Sequence, residues 1–162
     1  MDALRRHFEA LEFDNVATFI ASGNVVFDDD HDDAPALEQR IEAHLLEVLG
    51  FGSDTFLRTT TDLRRLAATK EIVARTQEGF NAHVIFHRDR VPSSVAKALR
   101  ALESDDDRFL VRPREVMWFR RGRMSDSPIT DRELGIALGS RENTMRNLNT
   151  VQRIVAKFGE PS

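Results

Sequence analysis

The side chains best suited to chemistry in this sequence are arginines, which stand beside polar turn residues or aromatic rings. Arg146 and Asn147 come just before an amphipathic segment that predicts the last helix. Backbone amides at a helix N-terminus favour an anion, and a guanidinium group binds phosphate or carboxylate through two parallel hydrogen bonds. The pair therefore predicts an anion site, although helix capping by Asn149 or Thr150 explains part of the pattern without a ligand.

A second candidate site is the polar centre of the stretch FIASGNVVF, residues 19–27. Ser22, Gly23 and Asn24 separate two apolar runs. The amides of a glycine turn, together with serine and asparagine side chains, can surround a phosphate. The alternative is a hairpin turn whose side chains bond to their own backbone. The spacing favours the turn, and the stretch is not a phosphate-loop motif.

Five arginines surround a predicted hairpin that also contains Trp118 and Phe119. Single-stranded nucleic acid needs this mixture, because bases stack on aromatic rings while guanidinium groups contact phosphates. On this hypothesis Trp118, Arg120 and Arg121 bind the ligand. Alternation along a strand places Trp118 and Phe119 on opposite faces, so one of them is expected in the core. A solvated basic edge that blocks sheet aggregation is the favoured alternative. The five arginines are Arg112, Arg114, Arg120, Arg121 and Arg123.

The remaining residues with metal-binding or covalent chemistry form weaker patterns. The acidic runs at 28–33 and 103–107 lack the glycine and the distal glutamate of a calcium loop. His83 and His87 lie four apart on a predicted strand and have no third zinc ligand in view. There is no cysteine, and no serine has the context of a nucleophile elbow. The sequence therefore predicts neither a metal site nor a cofactor.

Composition narrows the class of protein. A chain of 162 residues with 41% hydrophobic and 31% charged residues is typical of one globular domain or two small ones. The net charge of −4 means that any polyanion site must be a local patch. No apolar run approaches the roughly 20 residues that span a bilayer, and the N-terminus lacks a secretory profile. We therefore expect a cytoplasmic protein that does not bind a membrane.

The elements that must position these residues form two similar series. Periodicity, caps and turn residues predict helix, strand, strand, helix, strand in residues 1–79. They predict strand, helix, strand, strand, helix, a short segment and a last helix in residues 80–162. DTFLRT, residues 54–59, is the last strand of the first series, and residues 69–79 are expected to link the halves.

Both series fit the split βαββαβ, or ferredoxin-like, unit. The predicted fold class is therefore α+β, with duplicated ferredoxin-like units, antiparallel sheets and helices on one face of each sheet. The first unit lacks its opening strand, which is central in this topology. We expect the absence to leave a sheet edge that recruits another segment or a second copy of the chain.

Three motifs, FIASGNVVF, WFRRGRMSDSPIT and TMRNLNTVQRI, resemble in order and spacing the bacterial domain of unknown function 1697 family. The resemblance covers essentially the whole chain. It implies a duplicated ferredoxin-like α+β fold and carries over no catalytic residue. Family members usually have an Arg-Gly-Ile-Asn-Val-Gly-Gly run before the first helix, which is absent here, and Trp at the position of Leu148. The absent run agrees with the absent strand.

We therefore expect a non-enzymatic binding domain for a phosphate-bearing ligand, either a small molecule or nucleic acid. One alternative is an enzyme for a small anionic metabolite, with Asp126 or a histidine as acid or base in a cleft between the halves. Another is an interaction module that forms a homodimer through an exposed sheet edge. Polar motifs that converge on a deep pocket would favour the enzyme, and an open sheet face would favour the binding domain.

Overall fold

A computed structural model of the chain describes residues 2–19, 23–30, 33–139 and 142–159. Contacts divide it into two compact units, Met1–Leu57 and Arg58–Ser162. The predicted halves, 1–79 and 80–162, divide the chain at a later point. No helix in the described ranges is both long and apolar enough to cross a bilayer.

The first unit packs two helices against one antiparallel hairpin. Helix α2 begins after Asp33, whose carboxylate accepts a hydrogen bond from the Ala36 amide, and it ends at Gly50 with a φ of 78°. Apolar side chains of both helices and of the hairpin form one core, which includes Phe8, Ile41 and Phe27. The elements are α1 (Asp2–Ala10), β1 (Asp14–Phe19), β2 (Asn24–Asp28) and α2 (Ala34–Leu49).

The segment after α2 forms no strand, so the prediction of a strand over residues 54–59 is wrong. Its backbone is held by two carboxylates of α2 instead. The Thr55 amide donates to Glu42 and the Leu57 amide donates to Glu38, each over 2.9 Å. The two amides are two residues apart and the two glutamates are one helical turn apart. Although the segment is rich in β-forming residues, its backbone amides therefore bond to side chains of a helix rather than to a neighbouring strand.

The second unit contains one antiparallel sheet of four strands in the order β4-β5-β3-β6. Residues 69–79 are not a plain linker, because they contain a helix, and a strand that the sequence did not predict precedes the last helix. A 3₁₀ turn at Met124–Asp126 follows β5. The elements are α3 (Thr60–Ala67), α4 (Lys70–Gln77), β3 (Asn81–His87), α5 (Ser93–Arg100), β4 (Asp107–Val111), β5 (Glu115–Arg120), α6 (Asp131–Ala137), β6 (Asn143–Asn147) and α7 (Leu148–Phe158).

Helices cover both faces of this sheet, so the prediction of helices on one face is wrong here. Val84 and Ile85 of β3 are neighbours that point to opposite faces, and both are fully buried. Ile85 packs in a core with side chains of α5 and α6. Helices α4 and α7 also contact β3 but contribute nothing to that core, so they cover the other face. The apolar residues on both faces of β3 require this double cover.

The architecture is α+β with antiparallel sheets, as the sequence predicted. The series β3-α5-β4-β5-α6-β6 has the β-α-β-β-α-β order expected for the second half. The described part of the first unit has a two-stranded sheet. Duplication of the ferredoxin-like unit therefore stays a prediction.

Candidate functional site

The centre of the WFRRGRMSDSPIT motif is a buried polar network around Asp107, whose side chain is inaccessible to solvent. Pairing of β4 with β5 places Asp107 directly opposite Arg120. Arg120 Nη1 donates to Asp107 Oδ2 over 2.6 Å, and Trp118 Nε1 donates to Oδ1 over 2.9 Å. Ser127 Oγ donates to the same Oδ2 over 3.2 Å. The carboxylate thus has three donors, which offset the cost of burying it.

Arg120 also fixes the turn that follows β5. Its Nε donates to the Arg123 carbonyl over 2.9 Å, and its Nη2 donates to the Asp126 carbonyl over 3.1 Å. Every nitrogen of this guanidinium group therefore has an acceptor, and only 7% of the residue is exposed. The motif holds its own turn in place, which is a structural role.

Trp118 and Arg120 are consequently poor candidates for binding a ligand, and we correct that prediction. Trp118 is 6% exposed and its ring stacks on Phe109 at 5.8 Å between centroids. Phe119, on the opposite face, is buried as well. The sequence expected one of these aromatic residues in the core, whereas both faces of the sheet are covered. Neither ring is accessible to a nucleotide base.

Arg121, the next residue, is in a different environment, because its side chain is exposed. Its guanidinium carbon lies 4.2 Å from the centre of the Phe80 ring, and Nη1 donates to the Glu78 carbonyl over 3.1 Å. The Arg75 guanidinium lies 5.6 Å from the same ring and forms an ion pair with the Glu78 carboxylate at 3.4 Å. Two guanidinium groups are thus held around one aromatic ring.

The other predicted arginines do not join Arg121 in one cluster. Arg123 forms an exposed ion pair with Asp126 at 3.3 Å. Arg112 and Arg114 follow β4, at the opposite end of β5. There Arg112 lies 3.6 Å from Glu115, and Arg114 Nε donates to the Arg88 carbonyl over 3.1 Å. The five arginines are therefore divided between the two ends of one strand.

Sequence reasoning missed the strongest ion pair at that opposite end. Arg58 Nε donates to Glu115 Oε2 over 2.9 Å, and both side chains are largely buried. Arg58 Nη2 also donates to the carbonyls of His87 and Arg114. Because 57 residues separate Arg58 from Glu115, no local spacing could have indicated this pair.

The side chains of Arg146 and Asn147, the two residues of the predicted anion site, lie apart in the structure. They are consecutive in β6, opposite Val84 and His83 respectively, so their side chains point to opposite faces. Arg146 Nη1 donates to Thr144 Oγ1 over 2.6 Å and to the Met145 carbonyl over 2.9 Å. Partial burial lowers the pKa of Arg146 from its ordinary value.

Asn147 is the N-cap of α7. Its Oδ1 accepts a hydrogen bond from the Asn149 amide over 2.8 Å. The sequence predicted that Asn149 or Thr150 caps this helix, so that prediction is wrong by two or three residues. The unpredicted strand β6 explains the error, because it runs directly into the helix and makes its last residue the cap.

The described part of the Ser22-Gly23-Asn24 stretch is a turn. Ser22 lies outside the described residues. Gly23 has a φ of 77°, which glycine adopts without strain. Asn24 Nδ2 donates to the Phe19 carbonyl across the turn over 3.1 Å. A side chain of the turn thus bonds to the backbone of the same turn, as the hairpin-turn alternative expects.

The two histidines of β3 lie in or near the core. His87 is 1% exposed, and its Nδ1 is 3.3 Å from the Ile85 carbonyl. His83 is half-buried, and desolvation lowers its pKa. Its buried Nδ1 has no hydrogen-bond partner among the described atoms.

The predicted binding residues do not converge on a pocket in the described ranges. An open hollow of about 460 Å³ lies along α1 and β1, and none of those residues lines it. In the same ranges, no three His, Asp or Glu side chains meet as metal ligands would. The hollow is lined by Arg5, Glu9, Phe13, Asp14, Asn15 and Val16.

Comparison with known proteins identifies a family rather than an activity. No curated protein sequence matches the chain. A solved structure of the conserved bacterial protein SP0830 from Streptococcus pneumoniae is similar, with a TM-score of 0.75 over 99% of this chain and 89% of that one. At 20% identity, this likeness shows the fold alone. The family described as Protein of unknown function (DUF1697) matches residues 1–117. The chain therefore belongs to the DUF1697 family, the family that its sequence resembles.

Proposed function

We propose that the second unit binds a small phosphate-bearing ligand, with Arg121 as the principal contact. The proposal rests on one observation: the side chain of Arg121 is exposed to solvent, yet protein contacts hold it in one position. The Phe80 ring and the Glu78 carbonyl hold its guanidinium group at 4.2 Å and 3.1 Å. A pre-positioned side chain loses less conformational entropy when it binds a ligand.

The chemistry of the guanidinium group sets the ligand class. Arginine has five N–H donors in a planar fork, and in the described structure the side chain of Arg121 donates to one protein acceptor, the Glu78 carbonyl. Two further donors can bind two oxygens of one phosphate. Arg75 adds a second positive charge beside the same ring, partly neutralised by Glu78.

A small phosphate compound fits this surface better than a nucleic acid does. Single strands are held largely by aromatic stacking, whereas Trp118 and Phe119 are buried. The net charge of −4 also weakens long-range attraction of a polyanion. A single phosphate group requires only the local arginine pair.

The test is a thermal-shift screen of nucleotides and sugar phosphates, followed by calorimetric titration of Arg121→Ala with each compound that binds. Loss of a charge-assisted bidentate contact should weaken affinity by about tenfold or more. Arg121→Lys keeps the charge but loses the fork, so its affinity should fall between those of the native protein and the alanine variant.

Arg123→Ala is the matched control, because Arg123 is an exposed arginine on the same turn but is paired with Asp126. Its affinity should stay within about twofold of the native value. Equal affinity in Arg121→Ala and the native protein would contradict the proposal, and so would a screen without any phosphate compound that binds.

We also infer that the two units arose by duplication of a ferredoxin-like unit. Support comes from the matching series α1-β1-β2-α2 and α5-β4-β5-α6. An experimental structure should superimpose these two series with the helices on the same side of the hairpin. Helices on opposite sides would contradict the inference.

A further inference from the structure

Helix α4 ends in a turn that brings Arg75, Glu78 and Phe80 together. The Phe80 amide donates to the Arg75 carbonyl and the Gly79 amide donates to the Thr76 carbonyl, each over 3.1 Å, and Gly79 has a φ of 94°. These two bonds and the left-handed glycine form a Schellman motif. The backbone that carries Arg75, Glu78 and Phe80 is therefore held by hydrogen bonds within one turn.

Arg121 reaches this turn from the end of β5, where its own backbone is held as well. The Arg121 amide donates to the Asp106 carbonyl over 2.9 Å. The side chain of Asn81, at the start of β3, donates over 2.8 Å to the carbonyl of Gly122, the residue after Arg121. The backbones that carry both guanidinium groups are thus positioned before a ligand binds, which lowers the entropy cost of binding.

Glu78 contacts both guanidinium groups. Its carbonyl accepts a hydrogen bond from Arg121 Nη1 over 3.1 Å, whereas its carboxylate pairs with Arg75 Nη1 at 3.4 Å. The contact with Arg75 is the weaker one, because it is long and the Glu78 side chain is 53% exposed. Exposed ion pairs of this kind contribute little free energy. A ligand with an anionic oxygen of its own can therefore replace the carboxylate on Arg75.

The number of unesterified oxygens on a phosphate group decides whether the group can contact both arginines. The planar fork of Arg121 binds two oxygens. A phosphomonoester has a third unesterified oxygen and, at pH 8, a second negative charge, since its second pKa is about 6. A phosphodiester has only two such oxygens and one charge, so it has no anionic oxygen left for Arg75.

We propose, resting on the function proposed for Arg121, that this site selects phosphomonoesters over phosphodiesters. Arg75 is the second contact for the ligand, and Glu78 competes with the ligand by occupying Arg75 until it is displaced. The two arginines and the glutamate together carry a net charge of +1. Replacement of Glu78 by glutamine therefore doubles the local charge that attracts the ligand.

Methyl phosphate and dimethyl phosphate are small probes that differ in this one respect. Titrations at pH 8, followed through the NMR signals of the Arg121 side chain, measure the affinity of each. Methyl phosphate should bind the native protein about twofold to fivefold more tightly than dimethyl phosphate, which is the range that one additional exposed charge contact gives.

Substitutions at the two proposed positions test their roles separately. Arg75→Gln should remove the preference for methyl phosphate, because the third oxygen then has no cation to contact. Glu78→Gln should tighten the binding of methyl phosphate by about twofold to fivefold, and that of dimethyl phosphate by less.

Glu71→Gln is the matched control, because Glu71 is an exposed glutamate of the same helix. Glu71 lies seven residues before Glu78, roughly 10 Å away along the helix. Salt screens most of an exposed interaction over that distance. The control should therefore bind both probes like the native protein.

A measurement on the native protein covers the case in which a variant does not fold. The affinity for methyl phosphate should rise between pH 5 and pH 8, as the probe loses its second proton. Dimethyl phosphate stays a monoanion over this range, so its affinity reports any effect of titration of the protein itself.

The outcomes separate the selectivity from the site. Equal affinities of the native protein for the two probes would overturn the selectivity and leave the site at Arg121 intact. So would a preference that persists in Arg75→Gln, or an affinity for methyl phosphate that does not rise in Glu78→Gln. If neither probe shows binding that Arg121→Ala weakens, the proposed function itself is wrong, and the selectivity with it.

Discussion

The hairpin of the first unit and the sheet of the second unit share a helix-strand-strand-helix order but differ in enclosure. Strand β5 lies between β4 and β3 and has five buried residues out of six. Within the described ranges, strand β2 pairs with β1 alone, and none of the residues of β2 is buried. A central strand is paired along both of its edges and can be covered on both faces, whereas a two-stranded hairpin depends on its helices for stability.

The difference extends to the polar groups that each unit buries. In the second unit, strand register brings Asp107 and Arg120 together in a network in which every charged group has a partner. In the first unit, the buried carboxylate of Glu38 accepts a hydrogen bond from the Leu57 amide. The larger sheet thus encloses an ion pair, and the smaller unit encloses a carboxylate that anchors a loop. The following predictions test this contrast.

The largest effect is expected for Asp107→Ala in the second unit. The substitution leaves the buried Arg120 charge and the Trp118 N–H without their acceptor, so the free energy of unfolding should fall by about 3–5 kcal/mol. Urea denaturation followed by tryptophan fluorescence measures it, since Trp118 is the only tryptophan.

Asp106→Ala is the control for this substitution, because Asp106 is the exposed neighbour of Asp107. Its free energy of unfolding should stay within about 0.5 kcal/mol of the native value. If the two alanine variants were equally stable, the Asp107 network would not be a main source of stability in the second unit.

A smaller effect is expected for Glu38→Ala in the first unit. Removal of the carboxylate leaves the Leu57 amide without its acceptor, which should cost about 1–3 kcal/mol. Hydrogen exchange at the Leu57 amide should accelerate accordingly. Glu38→Gln retains an oxygen acceptor and should exchange more slowly than the alanine variant. Exchange at the native rate in Glu38→Ala would show that the loop is held by other contacts.

Asn147→Ala should destabilise the second unit by about 1 kcal/mol, because it removes the cap of α7. Asn149→Ala and Thr150→Ala should change stability by a few tenths of a kcal/mol, since neither residue is the cap. Thermal unfolding of the three variants measures the order. A larger loss of stability in Asn149→Ala or Thr150→Ala than in Asn147→Ala would show that the helix is capped by the residue that the sequence favoured.

The smallest effect concerns His83 and pH. Burial lowers the pKa of His83 below 6.5, so the unfolded chain takes up this proton more readily than the folded one. Above pH 6.5 this difference in proton uptake does not reduce the free energy of unfolding. The free energy of unfolding decreases as the pH falls from 6.5 toward the pKa of His83 in the folded protein. Native protein should therefore lose stability relative to His83→Gln over that window, in urea denaturation at a series of pH values. Parallel pH profiles would contradict this expectation.

Local signals in the sequence predicted most of the elements. The sequence TDRE at residues 130–133 has the pattern of a capping box and forms one, with Thr130 Oγ1 accepting from the Glu133 amide and Glu133 accepting from the Thr130 amide. Pro35 lies in the first turn of α2 and Gly50 ends the helix, which are the positions that these residue types favour. The strand β3 and the turn at Gly23 were predicted as well. Caps, turns and periodicity act over a few residues, so one sequence is sufficient to detect them.

The errors occurred where distant residues decide the structure. Residues 54–59 are β-rich but bond to α2, and residues 143–147 form a strand because β3 offers an edge. Binding roles for Trp118 and Arg120 were inferred from type and spacing alone. Their burial follows from the pairing of β4 with β5, which no local pattern reveals.

The sequence by itself therefore determined the family, the α+β class and the ends of most helices and strands. Only the tertiary structure decided that Arg120 is enclosed with Asp107 while Arg121 is exposed beside Phe80. Adjacent residues of the same type diverge in this way because strand register and burial assign each side chain to a face. Those two quantities depend on contacts between segments that are far apart in the chain.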